Sequence, residues 1–540
     1  MKFKWSQNQL ILSVSIFFAI IYNVTFFKKC LDVYPINSGN NLFLLSLFIL
    51  LVCAINLVLN IFRIKPLIKF FLIFLFFLSA MASYVMDTFS IAIDEGMISN
   101  ALLTNQSEAL DLLTFKLVAY LFFLFVLPSI FIFKVKIDYK GVRQEFLSRL
   151  KSLVVTIVVV FLLLISFGKN YASFFRVQKP LRYYTNPTYF MYSIGKISGS
   201  LIKNPNLPMQ TIGYGSKISI TDTDRELIIL VIGETARRDR FSLNGYQKET
   251  NPLLKQEKVY SFTNVTSCGT STAVSVPCIF SNIGRNNFSV ETGRATENLL
   301  DVLGHTKDVN ILWRDNNSDS KGVAARAKYE DYKNSPVNTI CDTECRDEGM
   351  LVGLQEHINS VKEKDIVLVL HQMGNHGPAY YKRYPKAFAR FKPYCESNDI
   401  SKCSTEEINN AYDNAILYTD YFLSKSIALL KENSSKFSTA LVYVSDHGES
   451  LGENGVYLHS MPYMIAPKEQ IEVPLIMWFG GSMETEMKKD VLRNKLNEPY
   501  SHDNIFHTML SLMEIESSAY VPQLDILHDI QIHGQGNSKK

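Results

Sequence analysis

Residues 226–235 read Glu-Leu-Ile-Ile-Leu-Val-Ile-Gly-Glu-Thr. The apolar, β-branched run is too short for a membrane helix. It has the near-continuous hydrophobicity of a strand buried on both faces of a parallel sheet. It stops on Gly233-Glu234-Thr235, and in open α/β sheets the region beyond the carboxyl end of a strand is where ligands bind. Three later stretches repeat the pattern. Val309–Trp313 (VNILW) leads into Arg314-Asp315-Asn316-Asn317-Ser318. Asp365–Leu370 (DIVLVL) leads into His371 and then Asn375-His376-Gly377-Pro378. Thr439–Val444 (TALVYV) leads into Ser445-Asp446-His447-Gly448-Glu449. Helical stretches alternate with these strands. The fold expected for 226–540 is therefore one α/β domain, a mostly parallel sheet sandwiched by helices, with a full core of its own.

Upstream the chemistry changes. Apolar runs lie near 8–28, 41–62, 67–89, 115–133 and 152–169. Each approaches or exceeds the ~20 residues that cross a hydrocarbon core, and the backbone must then be helical. Residues 1–170 are expected to form a five-helix transmembrane domain. Residues 171–225 form a connector rich in Tyr and Lys, including Tyr183, Tyr184, Tyr189 and Lys196, which suits a bilayer–water interface. Basic residues precede the first run (Lys2, Lys4) and crowd the second and fourth connections (Arg63, Lys65, Lys69; Lys134, Lys136, Lys140, Arg143). Residues 90–114 carry no Lys or Arg and hold Asp94, Glu95, Glu108 and Asp111. This asymmetry puts the N-terminus in the cytoplasm and, after an odd number of crossings, the α/β domain outside: in a bacterium, in the periplasm from the inner membrane. The net charge of +4 follows from that topology, and no feature calls for nucleic acid as a partner.

The cysteines agree with export. Six of the eight fall in close pairs, Cys268 with Cys278, Cys341 with Cys345 and Cys395 with Cys403. Disulfides are the expected state, since CxxC spacing for a cysteine-ligated zinc is lacking. Spacing alone does not fix connectivity, and nearest-neighbour pairing is the simplest choice.

All ten histidines lie after residue 300. Glu234, His376, Asp446 and His447 follow different strands of one sheet, so a single crevice can gather them, and their oxygen and nitrogen donors suit zinc. His459 can reach the same crevice from a loop. The segment 268–278 (CGTSTAVSVPC) clusters hydroxyls. If a helix begins there, its N-terminus favours an anion, and a metal would make an alkoxide accessible. The residues themselves leave Thr270, Ser271, Thr272 and Thr235 open as the nucleophile.

The stretches VIGETARRDRFSLNGY, SCGTSTAVSVPC, WRDNNSDSKGV, NHGPAYYKRYP, VSDHGESLGENGVYLHSMPY and SNALLTNQSEALDLL occur in one order along the chain. Together they resemble the lipid A phosphoethanolamine transferases of the alkaline phosphatase superfamily, the group that includes mobile colistin resistance enzymes. The resemblance implies an alkaline-phosphatase-like fold for the outer domain and transfer of phosphoethanolamine from phosphatidylethanolamine to a phosphate of lipid A, which lowers outer-membrane negative charge and opposes polymyxins. It implies that Glu234, Thr272, Asp446 and His447 hold Zn2+. Thr272 would be the nucleophile that becomes a phosphothreonine, which counts against Thr235. His376 and His459 would bind the phosphoryl group or a second zinc, with one serving as general acid. Asn317, Ser318 and Lys321 would contact donor or product, and Asn100, Thr104 and Glu108 the ethanolamine head. The protein is expected to act as a monomer among membrane lipids. The alternative on the same scaffold is a transferase acting on inner-core sugars of lipopolysaccharide. Neither CxPxR nor SxPxR occurs, which argues against sulfatase activity.

Overall fold

The computed structural model describes residues 4–36, 39–65, 67–103, 106–203 and 208–530. Packing divides the chain into two compact units, residues 1–98 with 112–205, and residues 99–111 with 206–540.

The first unit is helical. Helices α1 (Gln7–Ile21) and α2 (Val24–Val33) meet at a bend of 58°. The single run expected at 8–28 is thus broken at Tyr22-Asn23. Asn23 restores the hydrogen bonds lost there: its Nδ2 donates to the carbonyls of Phe18 (2.9 Å) and Asn186 (2.6 Å), and its Oδ1 accepts from the Asn186 N–H (2.8 Å). Buried polar groups in an apolar unit demand such partners. Helices α3 (Asn41–Ile61) and α4 (Ile68–Phe89) match the expected spans within a residue or so. The fourth span joins α5 (Phe115–Tyr120) through a π-helical turn (Leu121–Val126) to α6 (Leu127–Lys134). Pro128 has no N–H to offer Leu124, and that carbonyl accepts from the Tyr22 hydroxyl instead. Helix α7 (Val142–Val177) has 36 residues and is far longer than the run at 152–169, because its polar first turns are helical too. There Glu145 pairs with Arg63 at 2.9 Å. Among the described residues four helices are long and apolar enough to cross a membrane, or five if the bent pair counts as one span. The stretch 171–225 is shared between the units. Helix Thr188–Lys203 belongs to the first. Lys217–Ile218 pairs with Ile515–Glu516 in the second.

The second unit is built on a seven-stranded sheet. Its strands are β1 (Glu226–Gly233), β2 (Tyr260–Phe262), β3 (Val309–Asp315), β4 (Lys328–Asp331), β5 (Asp365–His371), β6 (Ser438–Ser445) and β7 (Leu475–Gly480). Their order is β2-β7-β6-β1-β5-β3-β4, and within it β7 runs against its neighbours. Every residue of β1, β5 and β6 is buried, as expected for central strands covered on both faces. Ile228, Leu230 and Ile232 pack in one cluster with Val276 and Ile279 of α8 (Thr272–Ile279) and with Phe506. A second long helix, α9 (Thr405–Asn433), opens with a Ser404–Glu407 capping box. The three disulfides join Cys268–Cys278, Cys341–Cys345 and Cys395–Cys403. Cys30 and Cys53 are buried free thiols.

Candidate active site

Strands β1 and β6 pair in register, Ser445 opposite Gly233. The residues that follow them, Glu234 and Asp446, therefore emerge side by side although 211 residues separate Asp446 from Thr235, the next residue along. Gly233 is required at this crossing: a Cβ there would lie 2.5 Å from the Tyr443 hydroxyl. Beyond it Thr235 takes a left-handed φ of 49°. The turn is clamped from three sides. Its N–H donates to Asp446 Oδ1 (3.1 Å), its carbonyl accepts from the Tyr412 hydroxyl of α9 (2.5 Å), and the next N–H donates to Ser445 Oγ (2.8 Å). The Thr235 hydroxyl is buried without a hydrogen bond.

Glu234, Asp446 and His447 are fully buried, and one donor atom from each lies within 4.8 Å of the others. Thr272, the first residue of α8, donates its hydroxyl to Glu234 Oε2 at 3.1 Å and lies 3.5 Å from His447 Nε2. His447 uses Nδ1 on the Gly448 carbonyl (2.9 Å), which turns Nε2 toward the cluster. Burial pulls its pKa down, against the attraction of Asp446, so the ring is held neutral with a lone pair to give. Asp446 Oδ1 takes two N–H bonds, from Thr235 and from His447 (2.7 Å). Its Oδ2 is buried with no hydrogen bond, 3.3 Å from His447 Nε2. Two carboxylates, a neutral imidazole and a hydroxyl, with a buried carboxylate oxygen facing the ring nitrogen, are a donor set that fits a zinc ion.

The loop carrying Thr272 is fixed independently. The Cys268–Cys278 disulfide closes it. Thr270 Oγ1 donates to the Met461 carbonyl (2.6 Å), and the Ser460 N–H donates to the Thr270 carbonyl (2.7 Å). These bonds bring the 459–461 segment alongside. The His459 ring centre is 4.4 Å from that of His447 and 5.4 Å from that of His376. Glu449, which accepts from the Tyr380 hydroxyl (2.7 Å), holds His459 through Nδ1 (2.8 Å). Burial, and then the neighbouring His459, Arg383 and His447, lower the pKa of His376 strongly.

Asn317 donates to Glu234 Oε2 (2.7 Å) and to the Gln372 carbonyl (2.8 Å). Lys321 Nζ donates to Ser318 Oγ. Asn100, in the segment that groups with this unit, donates to Ser460 Oγ at 3.3 Å. Thr104 and the side chain of Glu108 lie outside the described residues. Asp111, at the end of the same segment, pairs with Lys382 and, at 3.0 Å, with Arg383.

Sequence reading passed over the groups that hold these side chains. Asp315 accepts from the Trp313 indole (2.9 Å), lies 2.9 Å from His371 Nδ1 and accepts from the Asn317 N–H (2.9 Å), so it sets the turn that aims Asn317 at Glu234. Burial raises its pKa, but the His371 charge and the hydrogen bonds outweigh it and the net shift is down. Asp347 gathers the Asn316 side chain and the N–H groups of Met373 and Gly374. His502 bridges the Cys268 N–H and the Ser445 carbonyl, its pKa lowered by burial to about 4. The only hint in the sequence was that Asp315 and His371 stand at strand ends of the same sheet.

Comparison with known proteins agrees with this architecture. A family model described as Sulfatase matches residues 226–515, and one described as Phosphoethanolamine transferase EptA/EptB matches residues 51–200. Phosphatidylethanolamine transferase Mcr-1 of Escherichia coli is 43% identical over 520 residues, covering 94% of each chain. Phosphoethanolamine transferase EptA of Escherichia coli K12 is 37% identical over 537 residues, covering 96% of each. The solved integral membrane lipooligosaccharide phosphoethanolamine transferase A of Neisseria meningitidis superimposes with a TM-score of 0.93 at 34% identity, over 98% of this chain and 99% of that one. With the helical unit and the sheet matched along nearly their whole length, the chain belongs to the lipid A phosphoethanolamine transferase family, its second unit carried on the sulfatase fold.

Proposed function

We propose that this protein moves phosphoethanolamine from phosphatidylethanolamine to a phosphate of lipid A, with its catalytic unit in the periplasm and its helices in the inner membrane. The observation that carries this reading is the meeting of Thr272 with Glu234, Asp446 and His447 in one buried cluster. Glu234, Asp446, His447 and the Thr272 hydroxyl would hold Zn2+. When bound, the ion would lower the pKa of the threonine hydroxyl and neutralise charge on the phosphoryl oxygens.

The remaining chemistry belongs to the chain. Thr272 Oγ1 already donates to Glu234 Oε2, so this carboxylate marks the path of the departing proton. The threonine oxygen attacks phosphorus and the bond to the diacylglycerol oxygen breaks. His459, its ring tilted beside His447 and edge-on to His376, or His376 itself, would hand that oxygen a proton. In the second half, a lipid A phosphate oxygen attacks the phosphothreonine, and the Thr272 oxygen leaves with its proton restored. Thr272 opens α8, so the N-terminal end of that helix would stabilise the phosphoryl group through its dipole. Asn317, which donates to Glu234, and Ser318 and Lys321 beyond it would supply donors to phosphate oxygens. Asn100, Thr104 and Glu108 would hold the ethanolamine head. The acceptor is chosen on the relatives: EptA and Mcr-1 carry the transferase name, while two more distant ones are named Kdo(2)-lipid A phosphoethanolamine 7''-transferase.

The test is mass spectrometry of lipopolysaccharide from cells with and without the protein. Phosphoethanolamine gained on lipid A supports the reading. Gain on the inner-core sugars alone, or gain that persists with Thr272→Ala, defeats it.

A further inference from the structure

The helical unit contains a mostly apolar cavity with a few polar groups that no part of the catalytic account uses. It has a volume of about 480 Å³ and lies between the start of α2, the end of α4 and α5. Its charged walls are Asp87 on α4 and Lys28 on α2, its hydroxyls are Thr25 and Tyr120, and Ile21 and Phe123 line its apolar part. Thr25 donates to Asp87 Oδ1, and the Tyr120 hydroxyl donates to Asp87 Oδ2 at 3.3 Å. Among the described residues no ion pair includes Asp87 or Lys28, although Lys116 lies close enough to Asp87 to be felt electrostatically. An ionisable side chain in a membrane helix is expensive and marks function by default. The two hydroxyls and the Thr25 backbone N–H are neutral donors, so they leave part of the carboxylate's accepting capacity open to a cationic donor.

Position sharpens the chemistry. Asp87 is two residues from the end of α4 and Thr25 is the second residue of α2. At ~1.5 Å per residue the cavity lies within a few ångströms of the helix ends, at headgroup depth. The opposite end of α4 carries Arg63, Lys65 and Lys69, so the cavity faces the other, non-cytoplasmic leaflet. One cation and one anion across an apolar slot match a zwitterionic headgroup. A primary ammonium can donate three hydrogen bonds to Asp87 and its hydroxyl neighbours, whereas a quaternary one donates none. Lys28 suits the phosphate, and the Ile21 and Phe123 wall suits the first acyl carbons.

From the juxtaposition of Asp87, Lys28, Thr25 and Tyr120 around this cavity, we infer that the helical unit has its own binding site for a phospholipid with a primary-ammonium headgroup, of the phosphatidylethanolamine class. The lipid held there is the donor class of the function proposed above, and the inference rests on that reading for its purpose, though not for its binding chemistry.

The experiment measures lipid retained by the full-length protein, by native mass spectrometry from detergent micelles doped equally with phosphatidylethanolamine, phosphatidylcholine and phosphatidylglycerol. The wild type is expected to retain the ethanolamine lipid preferentially. Asp87→Asn and, independently, the exposed Lys28→Gln should each lower that retention about tenfold, the scale of losing one charged hydrogen bond. Thr272→Ala should retain lipid as the wild type does. Equal retention of all three lipids by the wild type, or undiminished ethanolamine-lipid retention in Asp87→Asn, overturns the site. Retention that depends on Asp87 in a protein that modifies no lipid A would overturn the proposed function and leave the site standing.

Discussion

The two ends of the central strands β1, β5 and β6 bury carboxylates in opposite ways. At the carboxyl ends, Glu234 and Asp446 are interleaved with a neutral imidazole and a hydroxyl, and backbone N–H groups feed Asp446 Oδ1. At the amino ends, Glu226 and Asp365 face each other with Asp222 and Glu514 nearby. There Glu226 Oε2 and Asp365 Oδ2 are buried without hydrogen bonds. Burial and then mutual repulsion push the Glu226 pKa far up, and burial raises that of Asp365. The first arrangement offers oxygen and nitrogen donors to a cation. The second relieves its charge by keeping a proton. Acids gather at both ends, and what differs is the nitrogen, hydroxyl and N–H groups placed between them.

The largest effect that would test this contrast is at the carboxyl ends. Thr272→Ala and Asp446→Ala should each lower lipid A modification at least ~10³-fold, equivalent to ~4 kcal/mol of barrier, while the protein stays folded. Transfer within tenfold of wild type in either variant would remove the cluster from the chemistry. Next, chelation of the full-length protein should lower its melting temperature, and zinc should restore it. At a hundred times the dissociation constant the gain is about 2.7 kcal/mol. Glu234→Ala should abolish the response, and Glu226→Gln should leave it intact. Of similar size is the effect of reducing Cys268–Cys278, a separation of 10 residues. In the chain-entropy model its loss costs about 2.7 kcal/mol. A thermal transition indifferent to reductant would mean that the bridge does not support the nucleophile loop.

The smallest effect is at the amino ends. With folded pKa values above those of the unfolded chain, Glu226 and Asp365 burden stability least at acid pH, where both states are protonated. As pH rises past the ordinary carboxylate range the unfolded chain releases protons that the folded chain keeps, so stability falls. Glu226→Gln should flatten that fall and add about 1–2 kcal/mol at and above neutral pH. Melting curves from pH 5 to 9 would show it, and a variant that melts lower at every pH would refute the shared proton.

Much of this was legible beforehand because it rests on local signals. The strand ending in Gly233-Glu234 declared itself by hydrophobicity, and the histidines and acids that matter follow strands of the same sheet. The close cysteine pairs joined as nearest neighbours. What stayed hidden depends on contacts between distant segments. Asn23 breaks the first apolar run because Asn186 meets it. The polar turns before residue 152 are helical because Arg63 answers Glu145. Asp315 and His371 looked like ordinary strand-end residues until the fold placed one against the other. Edge strands β2 and β4 are short, and β7, between β2 and β6, is an antiparallel addition, none with a distinctive pattern of its own.

Asp111 has a practical corollary. Arg383 is almost wholly enclosed, and two carboxylates neutralise it, Glu344 and the Asp111 that arrives from between two membrane helices. A soluble fragment cut to begin at the first strand discards one of the two and strands a guanidinium beside the His376 carbonyl that it also supports. Kinetics measured on such a truncated enzyme would describe a mutilated pocket, and grafting residues 99–111 back onto it is the simplest repair.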